Sequence, residues 1–161
     1  MKHNLWRAAA FAALFASTAA NAACPANTVC ASDPQTVVAA LTAAGYKAKL
    51  GKDSTGDPTI ESAASGYDFD VMFYGCKDGK DCASLQFRSG WKADDAHTPE
   101  YANKWNVVKR FAQMSVKDDK TMSLSYDVTT EGGINQANFA DVIDWWQVML
   151  GEAAKFFAEN G

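Results

Sequence analysis

Apolar residues recur along this chain in two periods, and the order of those periods predicts its elements. Val37, Val38, Leu41 and Ala44 fall at helical spacing. Ser32-Asp33-Pro34 opens that helix with a polar cap and a proline whose missing N–H costs nothing there, and Gly45 stops it. Tyr46, Ala48 and Leu50 then alternate with Lys47 and Lys49, a half-buried strand. A turn-rich stretch, Gly51 to Asp57, leads into a weaker strand from Pro58 to Ala63, read as an edge. The clearest alternation comes next: Tyr67, Phe69, Val71 and Phe73 against Asp68, Asp70, Met72 and Tyr74. Ala83, Leu85 and Phe87 repeat it, with Ser84, Gln86 and Arg88 facing out, and Gly90 to His97 is read as a loop carrying Trp91.

Thr98-Pro99-Glu100 opens a second helix with an acid near the positive end of its dipole. Tyr101, Trp105 and Val108 form its buried stripe. Asn103 and Asn106 are poor helix-interior residues. Either they hold neighbouring backbone in place, the preferred reading, or they face a ligand. Ala112, Met114 and Val116, then Met122, Leu124, Tyr126 and Val128, give a hairpin turned by Asp118-Asp119-Lys120. After Gly132-Gly133, Asn135 caps a long helix, with Ile134 and Phe139 placed as a hydrophobic staple. Its stripe is Phe139, Val142, Ile143, Trp146, Met149, Leu150, Ala153 and Phe157, with Trp145 and Phe156 at the margin. The order α-β-β-β-β-α-β-β-α predicts an α+β domain, an antiparallel sheet of five to six strands flanked by helices.

The first residues belong to a different pattern. A basic start (Lys2, His3, Arg7) precedes an apolar run from Ala8 to Ala16 and small residues ending Ala20-Asn21-Ala22. That is the order of a secretory signal peptide, and the run is too short to span a bilayer. Cleavage is expected between Ala22 and Ala23. Asn21 stands where a lipobox needs leucine, which argues against acylation of Cys24. The expected division is a signal peptide at 1–22, an N-terminal disulfide loop at 23–33 and a single domain at 34–160. The expected compartment is a periplasm or the exterior, with no stable membrane insertion after cleavage.

Charge sharpens this. The chain carries 15 Lys and Arg against 19 Asp and Glu, a net charge of −4; cleavage removes Lys2 and Arg7 and no acid, leaving 13 against 19, or −6. No basic patch stands out, which argues against nucleic acid as a partner. All four cysteines survive cleavage into an oxidising compartment, where an even count reads as disulfides. Three pairings are open, and the two C-x5-C spacings favour Cys24–Cys30 and Cys76–Cys82. Rings this short contribute about 2 kcal/mol each.

Candidate chemistry is thin. Asp68 and Asp70 share a strand face and so resemble an acid–base couple, although the solvated face of an antiparallel sheet explains them better. Asp53-x-Thr55-x-Asp57 lacks the glycine and glutamate of a calcium loop and reads as a hairpin turn. His97 is the one histidine left after cleavage, beside Asp94 and Asp95. No nucleophile elbow, phosphate loop or zinc-protease motif is present in the sequence. An enzyme is therefore not expected, and neither cofactor nor metal is assigned.

Several features together resemble the YbjN family, in its secreted Gram-negative branch. They are Gly45-Tyr46; the Cys76…Cys82 turn with Leu85-Gln86-Phe87-Arg88; Asn103-x-Trp105-Asn106 with Arg110-Phe111; Tyr126-Asp127-Val128; and Gly132-Gly133 with Asn138-Phe139. Met122-Ser123-Leu124-Ser125 is more hydroxyl-rich than the family's acidic run, and Asn135 stands where Thr or Ser is expected. The resemblance implies a fold like that of type III secretion chaperones, which often dimerise and bind extended segments of partners. Family members are labelled sensory transduction regulators, and no catalytic residue is carried over. The expected function is thus an exported interaction module that binds a protein partner segment or a second copy of itself. Trp91 and Trp145 are the expected partner-binding residues. The alternative is a small-ligand-binding periplasmic protein with its pocket near Asn103 and Asn106.

Overall fold

The computed structural model describes residues 24–160. The expected signal peptide and its cleavage site at Ala22 and Ala23 lie outside the described residues. Among the described residues eleven elements run in order: β1 (Thr28–Val29), α1 (Pro34–Ala43), β2 (Lys49–Lys52), β3 (Pro58–Ala64), β4 (Tyr67–Tyr74), β5 (Ser84–Trp91), α2 (Pro99–Asn106), β6 (Gln113–Val116), β7 (Met122–Thr129), β8 (Ile134–Asn135) and α3 (Gln136–Asn160). Six strands form one antiparallel sheet in the order β2-β3-β4-β5-β7-β6, and β1 pairs with β8 apart from it. The α+β class and element order match the hydrophobic pattern, with the small β1–β8 pair added.

Helix starts obey their caps. Asp33 accepts from the Gln35 N–H at 3.2 Å, Thr98 from Tyr101 at 3.1 Å, and Asn135 from Asn138 at 2.8 Å. At the β4–β5 turn, Asp78 and Gly79 have φ of 51° and 72°, the left-handed pair that a two-residue hairpin turn needs. A β-carbon on Gly79 would stand 2.8 Å from the Gly56 carbonyl, so this glycine also lets the β2–β3 turn close against it.

One face of the large sheet holds the core. Trp146 of α3 sits edge-on to Phe69 at 5.7 Å and tilted over Phe87 at 5.9 Å, and Phe139 covers Phe87 from two turns earlier on the same helix. The other face carries Asp68, Asp70, Gln86, Arg88, Ser123 and Ser125 and has no helix over it among the described residues. Asp70 lies opposite Glu61 and Arg88 in the register, so it belongs to this open polar face. Partial burial, then Glu61 and Asp68, raises the Asp70 carboxyl above its ordinary value, while Arg88 opposes them. Asp53 is used by its own turn, accepting from the Thr55 N–H and hydroxyl and the Asp57 N–H, which confirms the hairpin reading there.

Disulfides join Cys24 to Cys30 and Cys76 to Cys82. Buried Thr130 links the two regions: its hydroxyl accepts from Ala31 N–H at 2.8 Å, and its own N–H donates to Ala83 at 3.2 Å. Gly133 completes the contact, because a β-carbon there would meet Thr28 Oγ1 at 2.5 Å and Cys30 Sγ at 3.1 Å. The N-terminal loop is therefore packed onto β8 rather than trailing.

Four local expectations are corrected. Pro58–Ala64 lies inside the sheet, and the edge is β2, whose Leu50 is exposed. Trp91 is the last residue of β5, paired with Met122, and not in a loop. Val108 is 68% exposed because α2 stops at Asn106, before the helical stripe can reach it. On α3 the margin is reversed: Phe156 is buried between Tyr101 and Trp105, at 5.0 and 5.7 Å, and Phe157 is the half-buried one.

Candidate interaction surface

The end of α2 sets the course of the chain into β6. Trp105 is fully buried and its indole N–H donates to the Ala112 carbonyl at 2.9 Å. Asn106 uses both ends of its carboxamide on one residue of β6: its Nδ2 donates to the Met114 carbonyl and its Oδ1 accepts the Met114 N–H, each at 2.9 Å. A side-chain amide thus takes the place of a neighbouring strand at the sheet edge. Gln113 and Ser115 face β7 in the register, so Met114 is the residue whose backbone points outward, and Asn106 occupies it. This is the structural role expected of Asn106. Asn103 is exposed, and the pocket expected beside these asparagines has lost the Asn106 carboxamide to the backbone.

Between the helix and the edge strand, the chain must turn sharply. Val107 and Val108 stand 70% and 68% exposed. Phe111 then adopts φ of 64°, a left-handed conformation costing about 1–2 kcal/mol for a side chain of this kind. That conformation sets its ring flat on Trp145 of α3, with centroids 4.4 Å apart and planes 27° off parallel. Tyr126 meets the same ring edge-on, and the Arg110 guanidinium lies 5.0 Å over it. One and two turns beyond Trp145 on α3 come Val148, 41% exposed, and Glu152. Glu152 is held by Lys109 at 2.7 Å and Lys155 at 2.6 Å. Hydrogen bonds from Lys109 and then Lys155, reinforced by their charges, lower its carboxyl to about 2.

The result is a surface of exposed apolar side chains from two elements, the α2–β6 loop and α3, pinned together by one aromatic stack and one ion-pair cluster. Two adjacent exposed valines and a half-exposed phenylalanine with a left-handed backbone thus stand on this one loop. Trp145, expected to bind a partner, belongs to the surface. Trp91 does not. It packs edge-on to Tyr67 at 5.6 Å and Phe157 at 5.0 Å, and lines a separate groove of about 360 Å³ with His97, Tyr101 and Met122.

Sequence patterning did not assign Val107, Val108, Phe111 or Val148 to a contact surface. The signal for the first two was their place after a helix whose start is marked by a cap and whose stop is not. Val148 comes three residues after Trp145, a spacing that shares a helix face. For the φ of Phe111 there was no signal.

Among the described residues no group of three or more His, Cys, Asp or Glu is placed to hold a metal, and no helix is long and apolar enough to cross a membrane. No curated protein and no solved structure matches the chain. The family YbjN, described as "Putative bacterial sensory transduction regulator" and so not as an enzyme family, matches residues 33–159. That match takes in every strand of the large sheet, α1, α2, all but the last residue of α3, and Val107, Val108, Phe111, Trp145 and Val148, and the chain accordingly belongs to the YbjN family.

Proposed function

We propose that this chain is an exported, non-catalytic interaction module that binds a segment of a partner protein through the surface of Val107, Val108, Phe111, Trp145 and Val148. The observation that carries the reading is the exposure of Val107 and Val108 on the loop that bears the left-handed Phe111, and of Val148 one turn along α3 from Trp145, on which the Phe111 ring stacks. Apolar anchors of this kind dominate protein interfaces. The family's description as a regulator supports a role in binding over one in catalysis. Two disulfides and the basic, apolar and small-residue order of the first 22 residues support work in a Gram-negative periplasm or outside the cell.

The test is Val108→Ser combined with Val148→Ser in the native host. Both positions are exposed, so the melting temperature should stay within the small range of surface substitutions. Adducts formed by a cell-impermeant cross-linker should disappear from the double variant. Adducts that persist undiminished would remove this surface from the account. A small-ligand role, the second reading, has its better place in the aromatic groove at Trp91. A ligand there would raise the melting temperature, and a broad metabolite panel without any shift would end that reading.

A further inference from the structure

We infer that the segment bound at this surface is an amphipathic helix carrying acidic residues at the end that lies over the α2 terminus. The inference rests on the proposed interaction role and adds the chemistry of the partner. Two observations carry it, and the first concerns the mode of binding. An extended segment adds to a sheet by pairing with outward N–H and C=O groups. At the neighbouring edge those groups are already taken: Ala112 C=O by Trp105, Ala112 N–H by the Arg110 carbonyl, and both groups of Met114 by Asn106. Only Val116 is left facing outward on β6, too little for a ladder. The accessible remainder is a row of side chains, which is what a helix with anchors at successive turns engages.

The second observation is charge. The whole chain is acidic, with a net charge of −4, yet the rim beside Val108 is not. Lys104, Lys109 and Lys155 line the cleft next to Val108, and Arg110 comes after it on the loop. Against them stand Glu152, already held between two lysines, and Glu159. The opposite end, one turn before Trp145 on α3, has the reverse sign: Asp141 stands there, close enough to Tyr126 to raise its phenol after burial has done so. A basic end and an acidic end on one apolar strip fix the direction of a charged helix laid along it.

The probes are two synthetic amphipathic peptides with the same leucine stripe, one with glutamates on its N-terminal polar face and one with lysines there. Labelled with a fluorophore, each is titrated with the mature protein and followed by anisotropy. The acidic peptide should bind at least about tenfold more tightly. Lys104→Glu with Arg110→Glu should remove that preference, whereas Lys52→Glu on β2, the sheet edge opposite β6, with Lys80→Glu in the β4–β5 turn should leave it. Each pair is checked by thermal melting. Equal binding of the two peptides, lost in Val108→Ser with Val148→Ser, would overturn the acidic assignment and leave the interaction surface standing. Binding of neither peptide would overturn the inference, as would self-association of the protein through Val148 or uptake by anionic vesicles alone.

Discussion

Trp105 and Trp146 are both almost completely buried, but only one of the two indoles has work for its N–H. Trp105 donates to Ala112, while the Trp146 nitrogen has no partner among the described residues. Replacement by phenylalanine removes similar volume at either site. Trp105→Phe should nevertheless cost about 1–2 kcal/mol more, because it also strands a carbonyl at the mouth of β6. Urea denaturation of the two variants measures the difference, and equal losses would contradict the role given to Trp105. This contrast was half legible. Both tryptophans are marked as core by their helical spacing, yet spacing says nothing of which indole meets a carbonyl brought in seven residues later. Asn106 shows the same limit: a poor helix former signals that something else holds it, without saying what.

At the scale of elements, the alternating strands and the capped helix starts were readable because they depend on local periodicity and local hydrogen bonds. The helix ends were not. A stripe drawn through Val108 assumes one more turn of α2 than exists, and the helix stops because its last side chain turns to pair with another element. Phe156 and Phe157 are neighbours on α3, and the helical period puts Phe157 on the stripe and Phe156 at its margin. Only the arrival of Tyr101 and Trp105 decides that Phe156 goes inside. The loop after α2 is tied to α3 by Lys109, Glu152 and Lys155, and that tie has a pH signature. The Glu152 carboxyl titrates at about 2, below its ordinary value of 4.5. A carboxylate lowered on folding stabilises the native state above its unfolded value, and that contribution fades as pH falls through the folded one. The wild type should therefore lose stability from about pH 4.5 down towards 2, and Glu152→Gln should flatten that limb of the curve. Melting temperatures across that range provide the check; identical acid limbs would show that the lysine cluster adds nothing to stability.

For the whole molecule, the hydrophobic pattern and the family motifs led to an α+β domain of the YbjN family, and the family and the fold are both established. The proposed contact surface was only partly legible, since Trp145 was identified while its companions come from a loop whose geometry depends on the completed fold. The architecture separates two tasks. One sheet face buries the core under α3, while the opposite face stays polar and open. The proposed contact surface lies on the α2–β6 loop and the flank of α3. Binding there would leave the core and the open face untouched.

The most direct measurement is photo-crosslinking in living cells with a probe amino acid at Val108, compared with the same probe at Tyr74. Tyr74 is 42% exposed but sits on the open polar face, so it controls for exposure alone. A discrete protein adduct should form from Val108 and none from Tyr74. The same labelling at both positions, or none at Val108, would contradict the proposed surface.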